Sequence, residues 1–399
     1  MTGIAAVGTY LPPWSVQGKR SAGPDEDVLT MAVAAGRAAD PAATATRVVL
    51  VSREFPLLDG GNGAVLLAGL SLAADVEVSE VLGGGPTALD QLAAATPGTL
   101  VIAAAHDEAV GAAAALFSES GRELRLVARR ARSLPTDVRT AQGNRHHYGD
   151  ARLQRDLGLR TTLARLELPP AGRVVGCAGV SARELIGLVE LAPAAADTGK
   201  GAAAAIFAVA AAIERSESGW VIAAEQTGVT VIEIAGGAAA AAALTRDEAP
   251  VRPLPTLVTT PGSGIPISLA AYARAFDAKL GWLAAEFDEQ PGIQAGPVFP
   301  PRTRVDAAGN LAVALRLQPL PRTGTVYTHS TVRIPVPDLP SPYTVAVVAL
   351  DDTPVRVLLK VTGVPAGEVS IGQPGAVVLR RIAVRAGIPD YGHAFWPGK

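Results

Sequence analysis

Few side chains in this 399-residue sequence have a type and spacing suited to chemistry, and its single cysteine is one of them. Cys177 ends the apolar segment RVVGC, which is typical of a buried strand. A catalytic thiol needs a neighbouring base or positive dipole that lowers its pKa. No histidine lies near Cys177 in the sequence, and free cysteines are often simply buried. An unreactive thiol is therefore the favoured interpretation.

The histidines offer acid/base groups but no metal site. His106 follows an apolar run and precedes two acidic residues, which makes it a candidate for a cleft. The pair His146–His147 lies with Tyr148 in a polar stretch, where exposed loop positions are the simpler interpretation. A structural zinc site requires four nitrogen or sulfur ligands at fixed spacings, and one cysteine with 5 scattered histidines does not supply them.

A run of three glycines, Gly83, Gly84 and Gly85, separates an apolar segment from a predicted helix in SEVLGGGPTAL. Such a turn lets a ligand approach the backbone and directs N–H groups at an anion. The run lacks the Lys-Ser/Thr of a phosphate loop and the spacing of a dinucleotide fingerprint. A ligand-approach loop and a plain tight turn both stay open on the sequence alone.

The overall composition excludes several classes of protein. With 49% hydrophobic and 18% charged residues, the chain is too apolar to be disordered. A net charge of -2 without a basic stripe argues against a nucleic-acid partner, and Arg129, Arg130 and Arg132 fit a solvated charge run better than a phosphate site. The start of the sequence lacks a secretion signal, and its apolar runs are shorter than the roughly 20 residues that span a bilayer. We therefore expect a cytoplasmic protein without a membrane partner.

The order of elements divides the sequence. Residues 1–245 alternate short apolar runs with alanine-rich helices, which is typical of a layered α/β fold. The series of strand, glycine-flanked helix and paired strands occurs twice, and it indicates two weakly similar halves at about 1–125 and 126–245. Residues 246–264 are rich in proline, threonine and charge and are predicted to form a linker.

The remaining residues, 265–399, are predicted to begin with a helix over Ile267–Phe287, whose apolar residues share one face. Four alternating segments rich in β-branched residues follow, separated by Pro, Gly and Asp turns. They are Thr325–Ile334, Tyr343–Leu350, Val355–Val361 and Ala376–Val384. Closely spaced strands of this kind are typical of a small barrel.

Five segments of residues 1–245 carry a family resemblance through their order: GIAAVGTYLPPW, DEDVLTMAVAAGRAA, VSEVLGGGPTALDQLAAA, DEAVGAAAALF and DTGKGAAAAIFAVAAAIE. Together they resemble the thiolase-like superfamily, in particular its hydroxymethylglutaryl-CoA synthase and ketoacyl synthase branch. The third segment resembles the one that holds the nucleophilic cysteine of that branch, and the fifth resembles the one with an active-site asparagine. The resemblance implies a layered αβαβα domain.

Four C-terminal segments carry a second resemblance: GTVYTHSTVRIP, YTVAVVALDD, VRVLLKVTGV and VSIGQPGAVVLRR. They resemble the OB-fold module that accompanies acyl-CoA thiolases, usually behind a zinc ribbon. The implied fold class is α/β, with a layered αβαβα thiolase-like domain followed by a small all-β OB-fold barrel with a leading helix. The ribbon equivalent, Pro297–Pro321, contains no cysteine, so no metal or other cofactor is expected.

The sequence departs from the thiolase-like family at its catalytic positions. The nucleophilic cysteine would fall near Leu82, and leucine cannot form a thioester. The general-base histidine would fall near Cys177 or Ala178, and the asparagine position holds Asp197. The resemblance therefore implies that the acyl-enzyme chemistry of the synthases is absent.

The leading hypothesis is a non-catalytic thiolase-like/OB-fold subunit of a complex that forms or cleaves carbon–carbon bonds in acyl-CoA or acyl-carrier substrates. Its partner would be a thiolase-like chain or a second copy, and acyl-CoA would be its ligand. The alternative is an acyltransferase or acyl-CoA aldolase with a non-classical site, using His106, Asp197, Tyr148 or Tyr327 as acid or base. A plain acyl-CoA or acyl-carrier binding protein without turnover is the third class.

Overall fold

The computed structural model of the chain describes residues 2–399 except 60, 133–135, 141–143, 171, 236–241, 263–267, 290, 294, 303 and 313–315. The chain forms two compact units. The first comprises Met1–Pro12, Met31–Phe55 and Asp75–Glu248, and the second comprises Pro13–Thr30, Pro56–Ala74 and Ala249–Lys399. Two N-terminal segments thus belong to the unit that holds the C-terminal residues, so the units are not contiguous in sequence.

The helices and strands are as follows. The first set is β1 Gly3–Leu11, β2 Trp14–Val16, β3 Lys19–Ser21, α1 Val28–Ala39, β4 Arg47–Ser52, α2 Gly63–Leu70, β5 Glu77–Leu82, α3 Gly85–Ala93, β6 Thr99–Ala105 and β7 Gly111–Ser118. The second set is β8 Arg122–Ala131, β9 Asp137–Arg139, β10 Arg145–His147, α4 Ala151–Leu157, α5 Leu159–Ala164, β11 Arg173–Ala178, α6 Ala182–Leu185, β12 Glu190–Asp197, α7 Ala202–Glu214, β13 Gly219–Glu225, β14 Gly228–Ile234 and β15 Ala243–Glu248.

The C-terminal set is β16 Arg252–Pro253, α8 Leu269–Lys279, β17 Leu283–Phe287, β18 Gly296–Val298, β19 Arg304–Val305, β20 Leu311–Ala312, β21 Arg316–Pro319, β22 Thr323–Val332, β23 Tyr343–Leu350, β24 Arg356–Val361, β25 Pro374–Arg385 and β26 Ile388–Pro397. Within the described ranges, no helix has both the length and the apolar character needed to cross a membrane.

The first unit contains the same strand order twice. Its first half has the order β5-β4-β6-β7-β1, and its second half has the order β12-β11-β13-β14-β8. In each half, β7 or β14 runs antiparallel to both of its neighbours, whereas β4 and β11 pair in parallel on both sides. A short pairing of Gly3 and Ile4 with Glu123 and Arg122 joins the two sheets.

Helices α3 and α7 form the central layer of this unit. The two helices pack on each other, and each of them also packs on strands of both halves. On the outer face of the first sheet, α1 passes so close to β1 that a Cβ atom at Gly8 would lie 2.3 Å from the carbonyl oxygen of Ala35. On the outer face of the second sheet, α5 contributes Leu163 to a separate apolar cluster. This αβαβα layering confirms the predicted thiolase-like fold.

The linker expected from residue 246 begins later than predicted. Strand β15 extends to Glu248 and pairs in parallel with β1 from Ala6 to Leu11. Its sequence, ALTRDE, is mostly exposed and has no apolar periodicity, so backbone pairing rather than side-chain burial holds it. The end of the predicted linker, 263–264, lies outside the described residues.

The second unit ends in a closed barrel with the strand order β22-β23-β24-β26-β25. Burial alternates along β23, where Thr344, Ala346, Val348 and Leu350 face the interior. This confirms the predicted all-β barrel, although its fifth strand, β26, was missing from the prediction. Because eight consecutive residues of β26 are buried, that strand has no alternating pattern to detect.

The helix predicted over Ile267–Phe287 is wrong in its last third. Helix α8 ends at Lys279, and Trp282 then adopts a left-handed φ of 56°, which no α-helix continues. The chain enters β17, which pairs with β18 and β21. Of the apolar residues counted toward the helix face, Leu283 and Phe287 lie in this strand instead, and Phe287 is buried there. Ile267 lies outside the described residues.

The equivalent of the zinc ribbon is held by apolar packing and a turn. Strands β17, β18 and β21 form one sheet and β19 pairs with β20, around a small core of Ala285, Phe287, Ile293 and Ala312. The Asp306 carboxylate accepts backbone N–H bonds from Ala308 at 2.9 Å and Asn310 at 2.8 Å, which closes the β19–β20 turn. In the part of the chain that the structure describes, no cluster of three His, Cys, Asp or Glu residues could hold a metal ion.

Two fully buried charges fasten the N-terminal segment of the second unit to its barrel. Glu26 and Arg380 each have side chains 1% exposed, and their charged atoms lie 3.3 Å apart. Glu26 also accepts the backbone N–H of Gly23 at 2.7 Å, and Arg380 donates to the Thr362 hydroxyl at 3.3 Å. Both charges therefore have hydrogen-bond partners as well as each other, which a buried ion pair requires.

Glu26→Gln is expected to lower the free energy of unfolding by about 3–5 kcal/mol, because it leaves the buried Arg380 guanidinium without a counter-charge. The matched control, Glu368→Gln, removes the partner of Arg252 from an exposed pair and should cost less than about 1 kcal/mol. Urea unfolding followed by tryptophan fluorescence measures both variants. Equal losses of unfolding free energy in the two variants would show that the buried ion pair stabilises the protein no more than the exposed one does.

Candidate functional site

The two central helices begin next to each other. Helix α3 starts at Gly85 beyond the end of β5, and α7 starts after Gly201 beyond the end of β12. A Cβ atom on Gly85 would lie 3.4 Å from the carbonyl oxygen of Gly201 and 3.3 Å from the Cβ of Ala223. The segments that resemble the family's nucleophile and asparagine segments are thus brought together, at the carboxyl ends of the strands.

Leu82 is the last residue of β5, and its side chain is 70% exposed at this edge. Gly83 donates its backbone N–H to the carbonyl of Ser52, which fixes the turn into α3. An exposed aliphatic side chain therefore stands where the family resemblance places the nucleophilic cysteine. It can contact an apolar group, but it can neither attack a thioester nor carry an acyl group.

The N-terminus of α3 is occupied by a carboxylate from the other half of the unit. Glu225, the last residue of β13, accepts the backbone N–H of Gly85 at 2.9 Å. Its other carboxylate oxygen forms an ion pair with Arg53, which follows β4. A Cβ atom on Gly84 would lie 2.0 Å from this carboxylate, so the glycine is needed for the carboxylate to fit. The free N–H group that an anionic ligand would use is already bonded.

Glu225 and Arg53 were not among the predicted site residues. Glu225 is 9% exposed and follows five buried residues of β13. An acidic residue that directly follows an apolar strand is the signal that could have revealed it, since such a residue emerges at the sheet edge beside the helix ends. Its Arg53 partner is 172 residues away in the sequence, and no local pattern links the two.

Cys177 faces away from the central helices. Its side chain is fully buried in the outer apolar cluster with Val174, Trp220 and Ile222, whereas Ala178 belongs to the cluster around α3 and α7. Burial, aided by the negative charges of Asp197 and Glu184, raises the pKa of the thiol to about 12. Cys177 is therefore an unreactive core residue. Ala178, the next residue of β11, is the one that faces α3 and α7.

Asp197 is the last residue of β12 and lies opposite Cys177 in the register of the sheet. Its carboxylate accepts the backbone N–H of Gly199 at 3.3 Å, and the carbonyl of Gly199 accepts the N–H of Gly179 at 2.6 Å. Gly179 in turn lies against the Glu225 side chain. Asp197 thus orders the loop that leads to α7, beside the occupied centre.

His106 lies at the carboxyl end of β6, in a cluster of polar groups. Its backbone N–H donates to the Glu54 carboxylate at 2.6 Å, and its Nδ1 is 3.6 Å from the Asp107 carboxylate. Burial acts to raise the pKa of Asp107, but its interactions with Arg145, His106 and Glu54 together hold that pKa below its ordinary value. The imidazole of His106 is 41% exposed and accessible to a ligand.

Among the other polar candidates, Arg132, His147 and Tyr327 contact protein groups. Arg132 donates to the carbonyl of Glu225 at 2.8 Å, whereas Arg129 and Arg130 are exposed on β8. His147 bonds Asp137 at 2.7 Å across the β9–β10 hairpin. Tyr148 is in the first unit and Tyr327 is in the second, where the Arg356 guanidinium lies 3.9 Å from the centre of its ring.

Thiol reactivity tests this description of the centre. Since a pKa of about 12 leaves almost no thiolate near pH 8, Cys177 should resist 5,5′-dithiobis(2-nitrobenzoate) until the protein is unfolded. The control is Leu82→Cys in a Cys177→Ala background, which places an exposed thiol on the same chain and should react at least about a hundredfold faster. Rapid modification of native Cys177 would mean that the thiol is accessible after all.

Comparison with known proteins is most specific for the barrel. The family model described as the ChsH2 C-terminal OB-fold domain matches residues 317–380, which include β22, β23, β24 and the start of β25. No curated protein matches the sequence.

Several solved structures are similar at low sequence identity. The 3-oxoacyl-[acyl-carrier-protein] synthase III from Aquifex aeolicus is 15% identical, with a TM-score of 0.45, over 59% of this chain and 100% of its own. PksG, an HMG-CoA synthase from Bacillus subtilis, is 14% identical, with a TM-score of 0.44, over 59% of this chain and 79% of its own. The Ltp2-ChsH2(DUF35) aldolase is 19% identical, with a TM-score of 0.25, over 34% of this chain and 98% of its own. Residues 317–380 therefore match the ChsH2 C-terminal OB-fold family, and they share one chain with a layered αβαβα unit.

Proposed function

We propose that this chain is a non-catalytic thiolase-like/OB-fold subunit of a complex that forms or cleaves carbon–carbon bonds in acyl-CoA or acyl-carrier substrates. The observation that carries the proposal is the Glu225 carboxylate at the N-terminus of α3, next to Leu82. An acyl-enzyme needs a thiolate there and a positive helix end to stabilise it. Here the positive end is neutralised by the protein's own carboxylate, and the side chain before it is aliphatic.

The substrate class is inferred from the barrel. Residues 317–380 match the ChsH2 OB-fold family, and the module that these residues resemble accompanies acyl-CoA thiolases. A thiolase-like unit and such a barrel on one chain support a role beside acyl-CoA or acyl-carrier chemistry. A non-catalytic subunit would support turnover when its catalytic partner is present, whereas a plain binding protein would bind the ligand without turnover.

The partner in this proposal is an intact thiolase-like chain or a second copy of this one. Strand β5 pairs with β4 on one side and ends the sheet of the first half. A sheet edge leaves backbone N–H and C=O groups available for a strand from another chain. This edge also ends at Leu82, so a partner bound there would be close to the centre described above.

The alternative function is an acyltransferase or acyl-CoA aldolase that uses His106. The accessible imidazole, with Asp107 and Glu54 beside it, is the observation that favours this alternative. Proton abstraction next to a carbonyl needs a base and a group that stabilises the enolate, but it needs no cysteine. Arg145 supplies a cation to the cluster, and its charge is paired with Asp107.

Intact-mass spectrometry after incubation with acetyl-CoA and longer acyl-CoAs tests the proposed function. We expect no acyl adduct on the chain alone, because its one thiol is buried and Leu82 has no nucleophilic atom. We also expect turnover to appear only when the co-purifying thiolase-like partner is added. An adduct lost in Cys177→Ala would refute the proposal, and turnover by the chain alone that is lost in His106→Ala would favour the alternative.

A further inference from the structure

A pocket in the second unit lies against the outer surface of barrel strands β23 and β24. Its apolar walls include Trp14, Pro340 and Tyr343. Asp25 and Lys360 are the two charged residues among those that line it. Lys360 faces outward because burial alternates along β24, where Val357 and Leu359 point into the barrel. The pocket thus combines a primary amine, a carboxylate and aromatic walls.

The Lys360 ammonium has no hydrogen bond or ion pair to any residue that the structure describes. The ammonium interacts instead with the Tyr343 ring, whose centre is 5.3 Å from Nζ, and with the charge of Asp25. Lys279 shows the contrast, since its amine is paired directly with Asp390. Burial lowers the pKa of Lys360, although Asp25 opposes this effect. A larger fraction of Lys360 is therefore neutral than of an exposed lysine.

The charges of the pocket restrict what it can hold. An anionic ligand would be attracted by Lys360 but repelled by Asp25, which is 7% exposed. A cationic ligand would be attracted by Asp25 but repelled by Lys360. A neutral molecule with one polar head and an apolar body satisfies both groups and the aromatic walls. Among neutral heads, a carbonyl is the one that reacts reversibly with a desolvated amine.

We propose that Lys360 is a nucleophile that binds a small aldehyde or ketone as a reversible imine, with Asp25 as the proton-transfer group. The neutral amine adds to the carbonyl carbon, and Asp25 takes the proton released by the nitrogen. Return of that proton to the hydroxyl of the carbinolamine lets water leave as the C=N bond forms. Amine and carbonyl give imine and water, so the step requires no oxidant or reductant.

This inference goes beyond the proposed function and does not rest on it, because the pocket lies wholly within the second unit. Reductive trapping of the purified full-length chain tests it. Butanal supplies the carbonyl, and sodium cyanoborohydride reduces any imine to a stable secondary amine. The chain contains five lysines, Lys19, Lys200, Lys279, Lys360 and Lys399, so peptide mass spectrometry scores each of them in the same sample.

We expect Lys360 to be alkylated at least about tenfold faster than Lys279 near pH 7, because reaction requires the neutral amine. Asp25→Asn should slow labelling of Lys360 about tenfold, whereas the matched control Asp390→Asn, which frees Lys279, should leave the rate at Lys360 unchanged. Near-ultraviolet circular dichroism checks that each variant is folded. Labelling of Lys360 no faster than Lys279 in the unmodified protein would overturn the proposal, and an unchanged rate in folded Asp25→Asn would remove Asp25 from it.

Discussion

The Glu225 carboxylate is the group around which the centre of the first unit is organised. It lies where the ends of β4, β5, β11 and β13 converge on the start of α3, and it bonds Gly85 and Arg53 at once. The carboxylate leaves no room for a side chain at Gly84, where a Cβ atom would lie 2.0 Å from it, and a Cβ atom at Gly179 would lie 3.0 Å from the Cγ of Glu225. A helix N-terminus is a ready site for an anion, and in this protein the anion is built into the chain.

In both units, contacts within the chain hold the segments that the family resemblance singled out. In the first, the ion pair of Glu225 and Arg53 lies at the N-terminus of α3, next to Leu82. In the second, an apolar core around Phe287 and the Asp306 turn hold the segment before the barrel, where Pro297–Pro321 contains no cysteine. The layered architecture and the barrel can therefore persist independently of the chemistry that they resemble, as fold and function often do.

The parts of this fold that the sequence could predict are those with local periodicity. Strand β23 has a clear apolar alternation, and the structure has it over Tyr343–Leu350, the bounds that its sequence predicts. Strand β15 was missed because pairing with β1, more than 230 residues away, holds a mostly polar segment. Strand β26 was missed because continuous burial erases alternation.

The candidate site divides in the same way. The family resemblance singled out Leu82, Ala178 and Asp197 in the sequence, and in the structure each of them is the last residue of its strand. The sequence could not reveal that Glu225 fills the space between them, because its partners Arg53 and Gly85 are brought in only by the sheet order of two halves. It also could not show which of Cys177 and Ala178 faces the central helices, because a register shift between Val174 and Gly176 in β11 decides this.

We propose that the first unit carries out no acyl transfer of its own. A single-turnover assay of free CoA, with the purified chain in excess over an acyl-CoA, tests this directly. Because no thiolate can form at Leu82 and the N-terminus of α3 is already bonded to Glu225, we expect CoA to appear no faster than in buffer. A burst of free CoA that approaches the amount of acyl-CoA added would contradict it.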